Sequence, residues 1–128
     1  MERTASIIIH SKGFTCTTAI REYVESRLSR ALRRYQADIS QVNVYLDDLN
    51  GALKGGEDKH VLIQVLLHKC SSVVVEAVSA DLYQSISMAS GRSRRTIKRS
   101  LRRQAQLERK ESRKMRSSLI HNSYAEFA

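Results

Sequence analysis

Four arginines, Arg92, Arg95, Arg99 and Arg103, follow one another at spacings of three, four and four. On an α-helix this spacing lines their guanidinium groups along one side over about 16 Å, at 1.5 Å of rise per residue. Arg94, Lys98 and Arg102 flank them, and no carboxylate occurs between Asp81 and Glu108. Like charges at i,i+3 and i,i+4 repel one another, and a phosphate-bearing partner relieves that repulsion. Guanidinium forks bind phosphate oxygens in pairs, which suits Arg better than Lys. The chemistry on offer is polyanion binding. An ordinary solvated face is the competing reading; the periodicity, the Arg bias and the missing acids weigh against it.

The charge of the whole chain points the same way. The formal net charge is +9, yet residues 1–91 hold ten Lys/Arg and ten Asp/Glu and are neutral. Residues 92–128 hold twelve Lys/Arg against Glu108, Glu111 and Glu126 and supply all of the excess. A balanced body with one basic segment suggests a folded scaffold that presents a surface for nucleic acid. An anionic membrane is disfavoured, because the basic end lacks a clean amphipathic face. No apolar run approaches the roughly 20 residues that span a bilayer. The start, Met1-Glu2-Arg3-Thr4, runs into Ile7-Ile8-Ile9 without a signal-peptide layout. Cys16 and Cys70 do not make a disulfide framework. A cytoplasmic protein is expected.

Catalytic constellations are not found. His10, His60, His68 and His121 are the candidate acid–base groups, but local spacing places no carboxylate beside His10 or His68. Asp47-Asp48 with Glu57-Asp58 offers oxygen ligands for a hydrated Mg²⁺ ion, though solvated loop acids are the simpler reading. The cysteines lack the paired short spacing of zinc motifs. Gly51, Gly55 and Gly56 do not precede a helix, so no phosphate-cradling loop is formed. The expectation is a binding protein rather than an enzyme, with no cofactor, no metal and no small-molecule substrate.

The elements that must carry the basic residues are legible from periodicity. Residues 6–10 form a β-branched strand ended by Ser11-Lys12-Gly13. Thr17 is placed to cap a helix whose apolar residues, Ile20, Tyr23, Val24, Leu28, Ala31, Leu32 and Tyr35, recur at three and four to about Gln36. Arg30, Arg33 and Arg34 gather near its C-terminal end, where cations suit the helix dipole. Alternating Val42, Val44 and Leu46 start a second strand, and residues 61–68 and 73–78 give two more. Asn50-Gly51 and Gly55-Gly56 mark a hairpin loop between the second and third strands. Asp81 and Gln84 have capping-box spacing at the start of a second helix, whose inner side is Leu82, Ile86, Ala89, Ser93, Ile97 and Leu101.

The order β-α-β-β-β-α predicts an α+β fold: a four-stranded mixed sheet with both helices on one face and their basic sides exposed together. Its last five elements match the order of double-stranded RNA-binding domains, here with an added N-terminal strand. The folded domain is expected over 1–105. Residues 106–128, where the apolar period fades, are expected as a basic, flexible tail ending in a short motif of Leu119, Ile120, Tyr124 and Phe127.

Over roughly residues 5–104 the chain resembles the short form of the ribosome hibernation promoting factor and ribosome-associated inhibitor family. The resemblance rests on Thr17-Thr18-Ala19-Ile20-Arg21-Glu22-Tyr23-Val24 and on Asp81-Leu82-Tyr83 followed by Ile86. It implies binding to the small ribosomal subunit, against its 16S-type RNA and neighbouring proteins, over the decoding A and P sites. Messenger and transfer RNA would thereby be excluded, with the protein monomeric off the ribosome. By position, Arg21, Arg27, Arg30 and Arg34 match basic sites of the family's first helix, and Arg92, Arg95, Arg99 and Arg103 those of its second. Arg33, Lys98 and Arg102 complete the expected RNA-contacting set. A general binder of structured RNA is the alternative. The chain departs from the pattern at Ser90, Ser93 and Ser100, where larger apolar residues are usual, so looser packing is expected. Around Arg94-Arg95-Thr96-Ile97 an Arg replaces a frequent acid. The last 24 residues match neither the dimerisation domain of long forms nor the acidic ending of the inhibitor type.

Overall fold

Every second residue of the strands is apolar, and those residues form the inner face of one sheet. The computed structural model describes residues 6–48 and 58–126, with side chains as far as Leu119. The elements are β1 (Ser6–Lys12), α1 (Thr18–Ala31), a 3-10 turn (Arg33–Asp38), β2 (Ile39–Asp48), β3 (Lys59–Leu67), β4 (Val73–Ser79) and α2 (Leu82–Glu126). The sheet order is β1-β2-β3-β4, with β1 parallel to β2 and the other pairs antiparallel. The α+β mixed sheet is the architecture expected from the sequence. The hairpin glycines Gly51, Gly55 and Gly56 lie outside the described residues.

Val42, Val44 and Leu46 of β2, Val61, Ile63 and Val65 of β3, and Val73, Val75 and Ala77 of β4 are buried under the helices. Val24 and Leu28 of α1, and Ile86, Ala89 and Ile97 of α2, close the core from above. Full burial of each larger aliphatic contributes about 1.5–3 kcal/mol. The outer face carries Ile8, Tyr45, Val74 and Val78, all exposed. A polar ladder, Gln41 to Asn43 at 3.1 Å and Asn43 to Gln64 at 3.3 Å, crosses that face. Gly13 turns the chain after β1 with φ +87°, and a Cβ there would meet the Asp48 carbonyl oxygen at 3.2 Å. Both facts favour glycine.

Both helices start on side-chain caps. Thr17 Oγ1 accepts from the Ile20 amide at 3.2 Å, as its position predicts. Asp81 Oδ1 accepts from the Tyr83 amide at 3.2 Å, but the reciprocal half of the capping box is not made by Gln84. Instead the Asp81 amide donates to Ser79 Oγ at 3.3 Å. Ser79 and Ser85 hydroxyls lie 2.6 Å apart, and Ser85 donates to the Lys59 carbonyl at 2.7 Å. This serine chain ties the start of α2 to β3 and β4. The serines farther along α2 are equally well placed. Ser90 donates to the Ile86 carbonyl at 2.8 Å and Ser93 to the Ser90 carbonyl at 2.7 Å, both fully buried.

Several element boundaries differ from the sequence reading: β1 runs past its expected end to Lys12, and β3 starts at Lys59 rather than Val61. α1 ends at Ala31, and a 3-10 turn carries the chain on from Arg33 to Asp38, opened by the Tyr35 amide bonding the Leu32 carbonyl at 2.9 Å. Arg33 and Arg34 therefore leave the axis of α1. Past the expected domain end, α2 runs without interruption to Glu126, 45 residues in all. Residues 101–126 contain neither Gly nor Pro and are rich in Arg, Lys, Glu, Gln and Leu. Helix propensity sustains the element there, whereas apolar periodicity fades because nothing remains to pack against.

Candidate nucleic-acid interface

α1 and α2 lie side by side and point the same way. Near their starts Tyr23 meets Tyr83 edge to face, with ring centroids 4.8 Å apart. One turn on, the Arg27 guanidinium donates to Ser87 Oγ at 2.5 Å. Each pair advances four residues on both helices, so the C-terminal half of α1 comes against the first half of α2. A cleft of about 660 Å³ opens there, lined by Arg30, Ala31, Arg33, Arg34, Tyr35, Arg94, Arg95 and Lys98. It continues between the helices past Arg27, Ser87, Ser90 and Gly91. Among the described residues, seven cationic side chains line this groove and no carboxylate does.

Arg33 and Arg34, on the 3-10 turn that follows α1, line the groove together with Arg30. Ala31 and Gly91 keep the floor low, leaving room between the guanidinium groups. Arg30, Arg33, Arg34, Arg94, Arg95 and Lys98 are exposed, whereas Arg27 is half-buried between the helices. A concave row of guanidinium groups without a neutralising acid focuses positive potential and suits phosphate oxygens.

Of the eleven residues expected to touch RNA, the groove collects Arg27, Arg30, Arg33, Arg34, Arg95 and Lys98. Arg21 stands on the first turn of α1, and Arg99, Arg102 and Arg103 lie farther along α2, exposed but outside it. Arg92 turns to the sheet's edge and donates to the Glu76 carbonyl of β4 at 2.5 Å. Arg94, which the four-arginine stripe leaves out, lines both parts of the groove. Its signal was the set Ser87, Gly91, Arg94 and Lys98, spaced by four, three and four, which faces α1 once α1 is in place.

The other candidate groups stay apart. His10 stacks on Tyr45, with centroids 4.6 Å apart and an interplanar angle of 11°, on the outer sheet face. His60 Nε2 lies 3.4 Å from Glu76 Oε2, and His68 is exposed. Lys59 Nζ pairs with Asp48 at 2.7 Å and with buried Asp58 at 3.5 Å. The hydrogen bond to Asp48 is the main reason the Lys59 ammonium titrates above the ordinary lysine value. Among the described residues no group of three or more His, Cys, Asp or Glu is placed to hold a metal ion. No described helix is long and apolar enough to cross a membrane.

The family described as Sigma 54 modulation protein / S30EA ribosomal protein matches residues 7–105, which span the sheet, α1 and the packed part of α2. The chain belongs to this family. Among similar solved structures is the N-terminal domain of Protein Y from Thermus thermophilus. It is 32% identical with a TM-score of 0.61, over 76% of this chain and 98% of that one. A ribosomal subunit interface protein from Coxiella burnetii, 22% identical with a TM-score of 0.60, shares the fold over 73% of this chain and 94% of its own. A ribosome hibernation promotion factor from Picosynechococcus sp. is 27% identical over 93 residues. That stretch is 73% of this chain but 47% of the cyanobacterial protein, so the chain spans about half the length of that relative. The S30EA match ends at residue 105, and the last turns of α2 extend beyond it.

Proposed function

We propose that this S30EA-family chain is a ribosome-associated hibernation factor. On this reading it binds the small ribosomal subunit at the decoding A and P sites through the groove between α1 and α2. One observation carries the reading: seven cations and no acid converge between two parallel helices. The names of the relatives, a ribosome hibernation promotion factor and a ribosomal subunit interface protein, support ribosomal RNA as the polyanion. Inhibition is by occupancy: a protein in the decoding channel excludes messenger and transfer RNA, and no bond is made or broken. The binding unit is the sheet with its helices to about residue 105, acting as a monomer in the cytoplasm.

Co-sedimentation with purified small and large subunits, across a salt series and with free structured RNA as competitor, tests this. Selective pelleting with the small subunit, resistant to competitor and lost as salt rises, is the expected result. Equal partition onto any RNA would reduce the protein to a general structured-RNA binder. Absence of binding at low salt would overturn RNA recognition altogether.

A further inference from the structure

Beyond residue 105 the family match ends, yet α2 continues to Glu126. From Gln106 to Leu119 every side chain is exposed, on all sides of the helix. At 1.5 Å per residue the whole of α2 is about 67 Å long, far longer than the strands it covers, so this segment stands clear of the domain as an arm. A helix that buries nothing normally draws support from pairs of opposite charge. Here Arg109 and Arg113, Lys110 and Lys114, and Arg113 and Arg116 are like-charged neighbours. Among the described residues no salt bridge ties Glu108 or Glu111 to a cation; Glu108 instead accepts from Gln104 at 3.5 Å.

The charges of the arm are in phase with those of the domain. Turning about 100° per residue, every Lys and Arg within 95–116 falls inside an arc of about 160°. Glu108 and Glu111 fall outside it, on the side that Ile97 and Leu101 use to pack on the sheet. A helix face that merely solvates itself has no need to keep ten cations within one such arc over about 31 Å; Glu111 lies behind them, and Glu108 stands at the margin beside Arg109, Arg113 and Arg116. We infer that the arm is a second RNA-contacting segment, in which Arg109, Arg113 and Arg116 continue the basic face of α2 along the phosphate backbone beyond the groove. The inference rests on the reading of the chain as an RNA-binding factor and assigns the occupant of this face as RNA phosphate.

The test uses the full chain carrying Arg109→Gln, Arg113→Gln and Arg116→Gln together, with purified small ribosomal subunits as the probe. Binding is measured from 50 to 200 mM salt, and helicity is checked by circular dichroism, since Gln keeps good helix propensity. Binding should persist at low salt, and the log–log salt slope should fall by about 2–3, at 0.7–0.9 per lost phosphate contact. Glu111→Gln, on the opposite side of the helix, should leave the slope unchanged. An unchanged slope in the arginine variant would overturn the inference while leaving groove binding intact. So would a variant that loses binding only to vesicles of phosphatidylserine and phosphatidylcholine, since the arm would then be a membrane contact. If neutralising the groove at Arg30, Arg34 and Arg94 also leaves subunit binding unchanged, the RNA-binding reading itself fails.

Discussion

Neutralising the groove gives a sharp quantitative expectation. Arg30→Gln, Arg34→Gln and Arg94→Gln remove three of the seven cations that line it. If each lining cation neutralises one phosphate, at a slope of about 0.7–0.9 per contact, the unaltered groove gives a log–log salt slope of about 5–6. Raising salt fourfold, from 50 to 200 mM, then weakens binding by about 10³-fold to nearly 10⁴-fold. With four contacts left, the slope drops to about 3 and the same change of salt weakens binding by only about 50- to 150-fold. The three side chains are exposed, so stability should stay within about 0.5 kcal/mol per substitution. Fluorescence anisotropy of labelled protein against purified small subunits reads the slope directly. Lys12→Gln is the matched control, because Lys12 alternates with Ile8 and His10 onto the outer face of the sheet, away from the helices. A triple variant with the slope of the unaltered protein would refute the groove as the phosphate-contacting surface.

Three further outcomes follow from particular contacts. Ser85→Ala removes a fully buried hydroxyl that serves both the Lys59 carbonyl and Ser79, and should cost about 1–3 kcal/mol in urea unfolding. Arg92→Gln should lower stability by about 0.5–1.5 kcal/mol through its lost bond to the Glu76 carbonyl, and lower the salt slope less than Arg94→Gln does. Lys59, held above its ordinary pKa mainly by Asp48, stabilises the fold fully below the unfolded-state value of about 10.4. That contribution fades as pH rises past the folded value, so Lys59→Met should abolish this alkaline component of the stability–pH curve.

The sheet and both helix starts were legible because their signals are local. Alternating valines define β2 and β4, and Thr17 and Asp81 declare the caps with their own side chains. The inner side of α2 was equally plain, since Ile86, Ala89, Ser93 and Ile97 keep one phase. The groove was not legible in full. Periodicity grouped Arg92 with Arg95 and Arg99, but a helix has several sides, and only the placement of α1 decides which of them faces a neighbour. That placement turns Arg94 inward and leaves Arg92 to the edge of β4. The 3-10 turn over Arg33–Asp38 follows α1 directly, and residues 32–36 carry no breaker to announce it. Past Gln106, helix and flexible tail share a composition; apolar period reports packing rather than helicity, and α2 keeps its helix where packing has ended.

The sheet's bare outer side acquires meaning once the helices are occupied. A protein gripped by α1 and α2 turns that side outward, as the new visible surface of whatever it sits on. Ile8, Tyr45, Val74 and Val78, with the Gln41–Asn43–Gln64 ladder between them, then stand where phosphates stood before. Lys12, Asp47 and Glu76 are its few formal charges. On the proposed reading, docking would turn an anionic surface into a nearly neutral, amide-and-aliphatic one. Any cationic molecule that finds that surface by its field loses the beacon as well as the seat.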